Sequence, residues 1–191
     1  AGFGKTTMLT QWLAGGGEPP SRAVAWVSLD DADDDVRRFL AHMIAALRTT
    51  NPEVGAEAAT VLDTAASVPV DTILTSLVND LDTLAGPTVL VLDDFHAVTA
   101  TVVHEAVAFL VDHLPAHSCL AMTTRSDPPF ALARLRSTGG LVEVRAADLR
   151  FTDDEAATLL NDVRGLGLTP EQVATLDQRT EGWAAGLQLA A

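Results

Sequence analysis

The most constraining stretch of this chain is its first seven residues, Ala1-Gly2-Phe3-Gly4-Lys5-Thr6-Thr7. Gly4, Lys5 and Thr6 fit the last three places of the pattern G-x-x-x-x-G-K-[ST]. The first glycine place falls before Ala1, so the chain reads as beginning inside its own motif, as an internal segment of a longer protein. The chemistry of the motif is legible. Glycines let a backbone take positive φ and approach a phosphate closely. Amides of such a loop and of the helix that follows face an anion. A lysine places one cation on the β/γ-phosphates, and a threonine hydroxyl ligates Mg²⁺. Lys5 is the only lysine among 12 basic residues; the other eleven are arginine. A compact ammonium is not interchangeable with a guanidinium in a phosphate cradle. The competing reading is a glycine-rich turn before an ordinary helix.

A phosphate loop belongs in an α/β domain, and the rest of the chain fits one. Thr6 to Leu13 reads as the helix after the loop, ended by Gly15-Gly16-Gly17 and Pro19-Pro20. Residues 23–29 form a strand-length apolar run. The acidic stretch Asp30 to Asp35 reads as a solvated turn and helix cap. Apolar residues at helical spacing then predict helices over 35–49, 53–66 and 71–85. Residues 88–92 are continuously apolar, as in a strand buried on both faces of a parallel sheet. A helix over 102–114 and a strand over 118–123 follow. A short helix over 131–137 and an alternating strand over Leu141–Arg145 complete the expected sheet. Thr152-Asp153-Asp154-Glu155 is a capping box opening a helix to about Val163. Thr169-Pro170 opens another, and Trp183 to Ala191 reads as a last helix. The expectation is an α/β P-loop NTPase core with a mostly parallel sheet over 1–150, and the start of a helical subdomain over 151–191.

The second chemical feature is Asp93-Asp94, at the end of the 88–92 run. Phosphoryl-transfer sites place an acid at a strand end to hold Mg²⁺, which suits Asp93. Asp94 is placed to orient or deprotonate an attacking water. The alternative is a pair that merely caps the next helix. Arg125 closes the next strand, where ligands sit in open α/β sheets. It can reach a γ-phosphate as a charge-assisted donor, or it pairs with a surface carboxylate. The histidines are scattered without a metal-ligand pattern. Cys119, inside an apolar strand, reads as a small buried hydrophobe.

Composition narrows the function classes. A net charge of −14 disfavours nucleic-acid binding by these residues, since phosphate contacts need clustered basic groups. One cysteine rules out an internal disulfide and points to a reducing compartment. Neither a signal-peptide pattern nor an apolar run of membrane-spanning length is present. Together these give a cytoplasmic expectation.

The motifs together resemble the nucleotide-binding domain of MalT-like, LuxR-type bacterial transcriptional regulators, which are signal-transduction ATPases of the STAND class. The resemblance runs the full length. It rests on residues 2–7, on Ala25-Trp26-Val27-Ser28-Leu29-Asp30 with Arg38-Phe39-Leu40, and on Leu90-Val91-Leu92-Asp93-Asp94-Phe95-His96. Thr124-Arg125-Ser126-Asp127-Pro128-Pro129, Leu132-Ala133-Arg134-Leu135-Arg136, Leu149-Arg150-Phe151-Thr152 and residues 179–188 extend it. It implies ATP or ADP with Mg²⁺ as the ligands. Gly2, Gly4, Lys5, Thr6 and Thr7 would hold phosphates, Thr6 and Asp93 the ion, with Asp94 and Arg125 catalytic and sensing. Gly182-Trp183 falls where related switch ATPases approach the adenine, without their usual proline. ATP would favour a self-associating active form and hydrolysis the resting one. DNA would be bound only by a helix-turn-helix outside these residues. The rival readings are a metabolic or transport P-loop ATPase and a nucleotide-binding scaffold without hydrolysis. By the family's sheet order, a central strand would precede Ala1 and lie between the strands ending at Arg125 and Arg145. Without it, the expectation is an unstable or aggregating segment.

Overall fold

The computed structural model describes residues 2–15, 22–67 and 69–190. Ala1, Ala191 and the expected break at Gly16-Gly17 and Pro19-Pro20 lie outside them. The chain divides into two compact units, Gln11–Phe130 and Ala1–Thr10 with Ala131–Ala191.

The first unit is built on its most apolar strand. β2 (Thr88–Asp93) is buried at every position, because a parallel neighbour flanks each of its edges. β1 (Ala23–Ser28) runs beside it from Ala23↔Thr88 to Ser28↔Asp93. β3 (Ser118–Met122) runs beside it from Thr88↔Ser118 to Leu92↔Met122. Parallel strands need long crossovers. Three helices, α2 (Val36–Thr50), α3 (Ala56–Thr64) and α4 (Val70–Asp82), lie between β1 and β2; α5 (Thr101–His113) lies between β2 and β3. Phe39, Leu40, Met43 and Leu47 of α2 recur at helical spacing and are fully buried. With Ile73, Leu74, Leu77 and Leu81 of α4, Leu92 of β2 and Leu110 of α5 they form one core. Each such side chain contributes roughly 1.5–3 kcal/mol.

The acidic run after β1 is consumed by the fold. Asp30 caps a short 3-10 helix, Asp31–Asp34. Asp35 caps α2, accepting the Arg38 N–H at 2.8 Å. Asp33 is fully buried between Arg38 Nε at 3.2 Å and His42 Nδ1 at 2.9 Å. Asp34 reaches forward to the start of α5 and accepts from the amides of Thr99 and Ala100 and from the Thr99 hydroxyl.

In the second unit, α1 begins at Lys5 of Lys5–Ala14. It is followed after the first unit by α6 (Leu132–Ser137), α7 (Asp153–Ala157), α8 (Pro170–Thr180) and α9 (Ala184–Ala190). Ala156, Leu160, Val173 and Leu187 form its core. The capping boxes at Thr152/Glu155 and Thr169/Gln172 are both made, with Pro170 in the first turn of α8. The helix expected to reach Val163 widens instead into a π-helical turn over Thr158–Val163.

The α/β class with a parallel sheet, followed by helices, is the one expected of a P-loop NTPase. Two expectations are corrected. Residues 141–145 are not a strand: they join no ladder among the described residues, and Val142 is 91% exposed. Alternation predicts a strand only where a neighbour supplies ladder partners and a core covers one face, and here Glu143 instead ties Arg136 and Arg145 together. Cys119 is exposed on β3, not buried; its apolar flanks concealed that its side chain is on the strand's uncovered face. Partial burial still pushes its thiol pKa up.

Candidate functional site

The glycine loop has the backbone the motif requires. Gly2 and Gly4 take φ of +78° and +76°, the left-handed region that side chains avoid. The Met8 N–H then donates to the Gly4 carbonyl at 2.8 Å, closing the first bond of α1. Lys5, on the first turn, has no ion pair among the described residues, although the chain carries 26 carboxylates. Thr6 and Thr7 are exposed beside it. The two glycines differ in surroundings. A Cβ on Gly4 would meet nothing within 4 Å, leaving the space a phosphate needs. A Cβ on Gly2 would come within 2.7 Å of Ala185 Cβ and 2.9 Å of Trp183 Nε1.

Trp183 therefore lies against the glycine loop itself. Its ring centroid is 6.3 Å from that of Phe3, and the Ala185 N–H donates to the Gly2 carbonyl at 3.2 Å. A tight left-handed turn at Glu181 and Gly182 (φ 52° and 68°) delivers it there. Gly186 leaves room for its ring, since a Cβ would sit 2.6 Å from Trp183 Cε3.

The acidic pair stands at the carboxyl end of β2. Asp93 is buried, and its Oδ1 accepts the Thr123 hydroxyl at 2.5 Å. Asp94 is half exposed in the left-handed region, at φ 57° and ψ 38°. That conformation costs a non-glycine residue roughly 1–2 kcal/mol. The Thr123 Oγ1 also accepts the Asp94 N–H at 2.9 Å. A cleft of about 500 Å³ opens between Leu29–Ala32 and Asp94, His96 and Ala97. The buried His96 Nδ1 lacks a hydrogen-bond partner among the described residues and lies 3.6 Å from Asp94 Oδ1, too far for a hydrogen bond. Arg125 follows β3 in an exposed bend and has no carboxylate partner among the described residues.

The structure thus brings Asp93, Asp94 and the end of β3 together in one unit, and Gly2, Gly4 and Lys5 with Trp183 in the other. Sequence reasoning missed Thr123. Its only signal was a polar residue ending an apolar strand next to the acidic one. The donor types suit Mg²⁺, which takes one or two carboxylates and completes its shell with water and substrate phosphates. Among the described residues no group of three or more His, Cys, Asp or Glu is arranged for a metal ion. No helix among those residues is long and apolar enough to cross a membrane.

No protein-family model matches the chain. Over its whole length it is similar to curated proteins of two kinds. It is 37% identical over 194 residues to the serine/threonine-protein kinase PknK of Mycobacterium tuberculosis. It is 34% identical over 193 residues to the HTH-type transcriptional regulator MalT of Serratia proteamaculans, and 32% over 191 to that of Cronobacter sakazakii. The chain spans 17% of the kinase and 21% of each regulator.

Proposed function

We propose that this MalT-like segment is a regulatory ATPase switch that binds ATP or ADP with Mg²⁺. The observation that carries the reading is the glycine loop: left-handed Gly2 and Gly4, open space over Gly4, and on the first turn of α1 a Lys5 with no ion pair among the described residues. The amides of the loop receive phosphate oxygens, the Lys5 ammonium the β/γ-phosphates. Thr6 and Asp93, each in its own unit, are the candidate ligands of the ion, which would neutralise charge on the phosphates when bound. Asp94 would orient the attacking water and accept its proton, and Arg125, which has no carboxylate partner among the described residues, would sense the γ-phosphate.

The relatives support a control role. The same segment occurs in proteins named as a kinase and as HTH-type regulators, so it supplies something both can use, and a nucleotide-dependent change of state is such a thing. In the intact protein, the ATP form self-associates and acts, and hydrolysis restores rest. DNA is bound by another region. Asp94→Asn tests the mechanism: the intact variant should bind ATP like the wild type and lose hydrolysis. Normal hydrolysis by the variant removes Asp94 from this role. Wild-type binding without hydrolysis would make the segment a scaffold.

A further inference from the structure

We infer that Thr123 is the positioning residue of the acidic pair, one hydroxyl fixing both the Asp93 carboxylate and the backbone turn that presents Asp94. A threonine hydroxyl has one proton to give and lone pairs to accept with. Here the proton goes to Asp93 Oδ1 at 2.5 Å, and a lone pair takes the Asp94 N–H at 2.9 Å. The backbone of Thr123 continues the grip. Its N–H donates to the Leu92 carbonyl at 3.1 Å, and its carbonyl accepts the Phe95 N–H at 2.9 Å. Four consecutive residues, Leu92 to Phe95, are thus bonded to one residue on the neighbouring strand end.

Geometry makes this more than packing. Thr123 is 4% exposed, so no water replaces its hydroxyl. The left-handed Asp94 backbone is intrinsically unfavourable and persists only where its surroundings hold it. With Oδ1 engaged, the rotation of the Asp93 carboxylate is set, and the face it offers an ion is set with it. Valine has threonine's shape without the hydroxyl: it would orphan the Asp94 N–H and remove the bond to Asp93 Oδ1. Serine would keep both bonds.

The inference rests on the nucleotide reading above, and the test separates the two. Intact wild type, Thr123→Ser, Thr123→Val and Thr123→Ala are titrated with Mn²⁺ in the presence of ADP by electron paramagnetic resonance. ATPase is measured against Mg²⁺, and the melting temperature is recorded in parallel. Thr123→Val should raise the half-saturating Mn²⁺ concentration about tenfold to a hundredfold, the usual effect of removing a group that orients a metal ligand. It should lower kcat more than it changes KM for ATP, and Thr123→Ser should restore both. Should the valine form not fold, Thr123→Ala carries the same expectation. A lower melting temperature with unchanged Mn²⁺ binding and kcat overturns the positioning role and leaves the nucleotide reading standing. A wild type that binds neither Mg-ATP nor Mn-ADP overturns that reading, and this inference with it.

Discussion

At the residue scale, the two loop glycines make opposite demands. Gly2 and Gly4 share a left-handed backbone, so alanine at either costs roughly 1–2 kcal/mol. Only Gly2 faces a crowded side, with Ala185 and Trp183 inside contact distance of a new Cβ. Gly2→Ala should therefore destabilise the second unit by more than Gly4→Ala does, as read by urea denaturation. Gly4→Ala should fold nearly normally and lose nucleotide, because its methyl group occupies the open space over the loop. Equal stability losses in the two variants would contradict the packing described. The placement of Lys5, Asp93 and Asp94 was legible in the sequence because its signals are local: a cation next to glycines, acids at the end of an apolar run. Thr123 was not, because its meaning lies in two hydrogen bonds to residues on a neighbouring strand, and no spacing rule encodes that register.

At the scale of elements, the acidic run after β1 shows how capping absorbs charge. Hydrogen bonds from the Thr99 amide, then the Ala100 amide and the Thr99 hydroxyl, hold the Asp34 carboxyl below its ordinary pKa of 3.8. A depressed folded value means that the tie stabilises the fold above pH 3.8 and is lost as pH falls through the lower folded value. Asp34→Ala should cost about 1 kcal/mol at neutral pH, the usual value for a lost cap. The gap between the melting temperatures of wild type and variant should close on acidification below pH 3.8. A gap independent of pH would refute the assignment. Glu143 behaves alike: Arg136, with Arg145 nearby, pushes its pKa down to about 2. That cluster occupies the segment expected as a strand. Val142 is 91% exposed there, so Val142→Thr should change stability by less than about 0.5 kcal/mol, whereas a residue on a half-buried strand would cost more. Alternation in Leu141–Arg145 was a true pattern with no ladder to join.

At the scale of the molecule, the periodicities that located β1, β2 and the long helices succeeded because each reports a buried face, whereas β3 is only partly buried. Phe39, Leu74 and Leu92 are apolar where the core needs them, and Leu74→Ala should cost roughly 2–5 kcal/mol in chemical denaturation. What periodicity could not supply was the contact of Trp183 with the glycine loop, made by residues at opposite ends of the chain. On the proposed reading, this fold serves a nucleotide. Equilibrium binding of radiolabelled Mg-ATP to the intact protein, wild type against Lys5→Ala, tests it most directly. Saturable binding by the wild type and a loss on the order of a hundredfold in the variant, about 2.7 kcal/mol, are expected. Equal affinities, or no binding by the wild type, would contradict it.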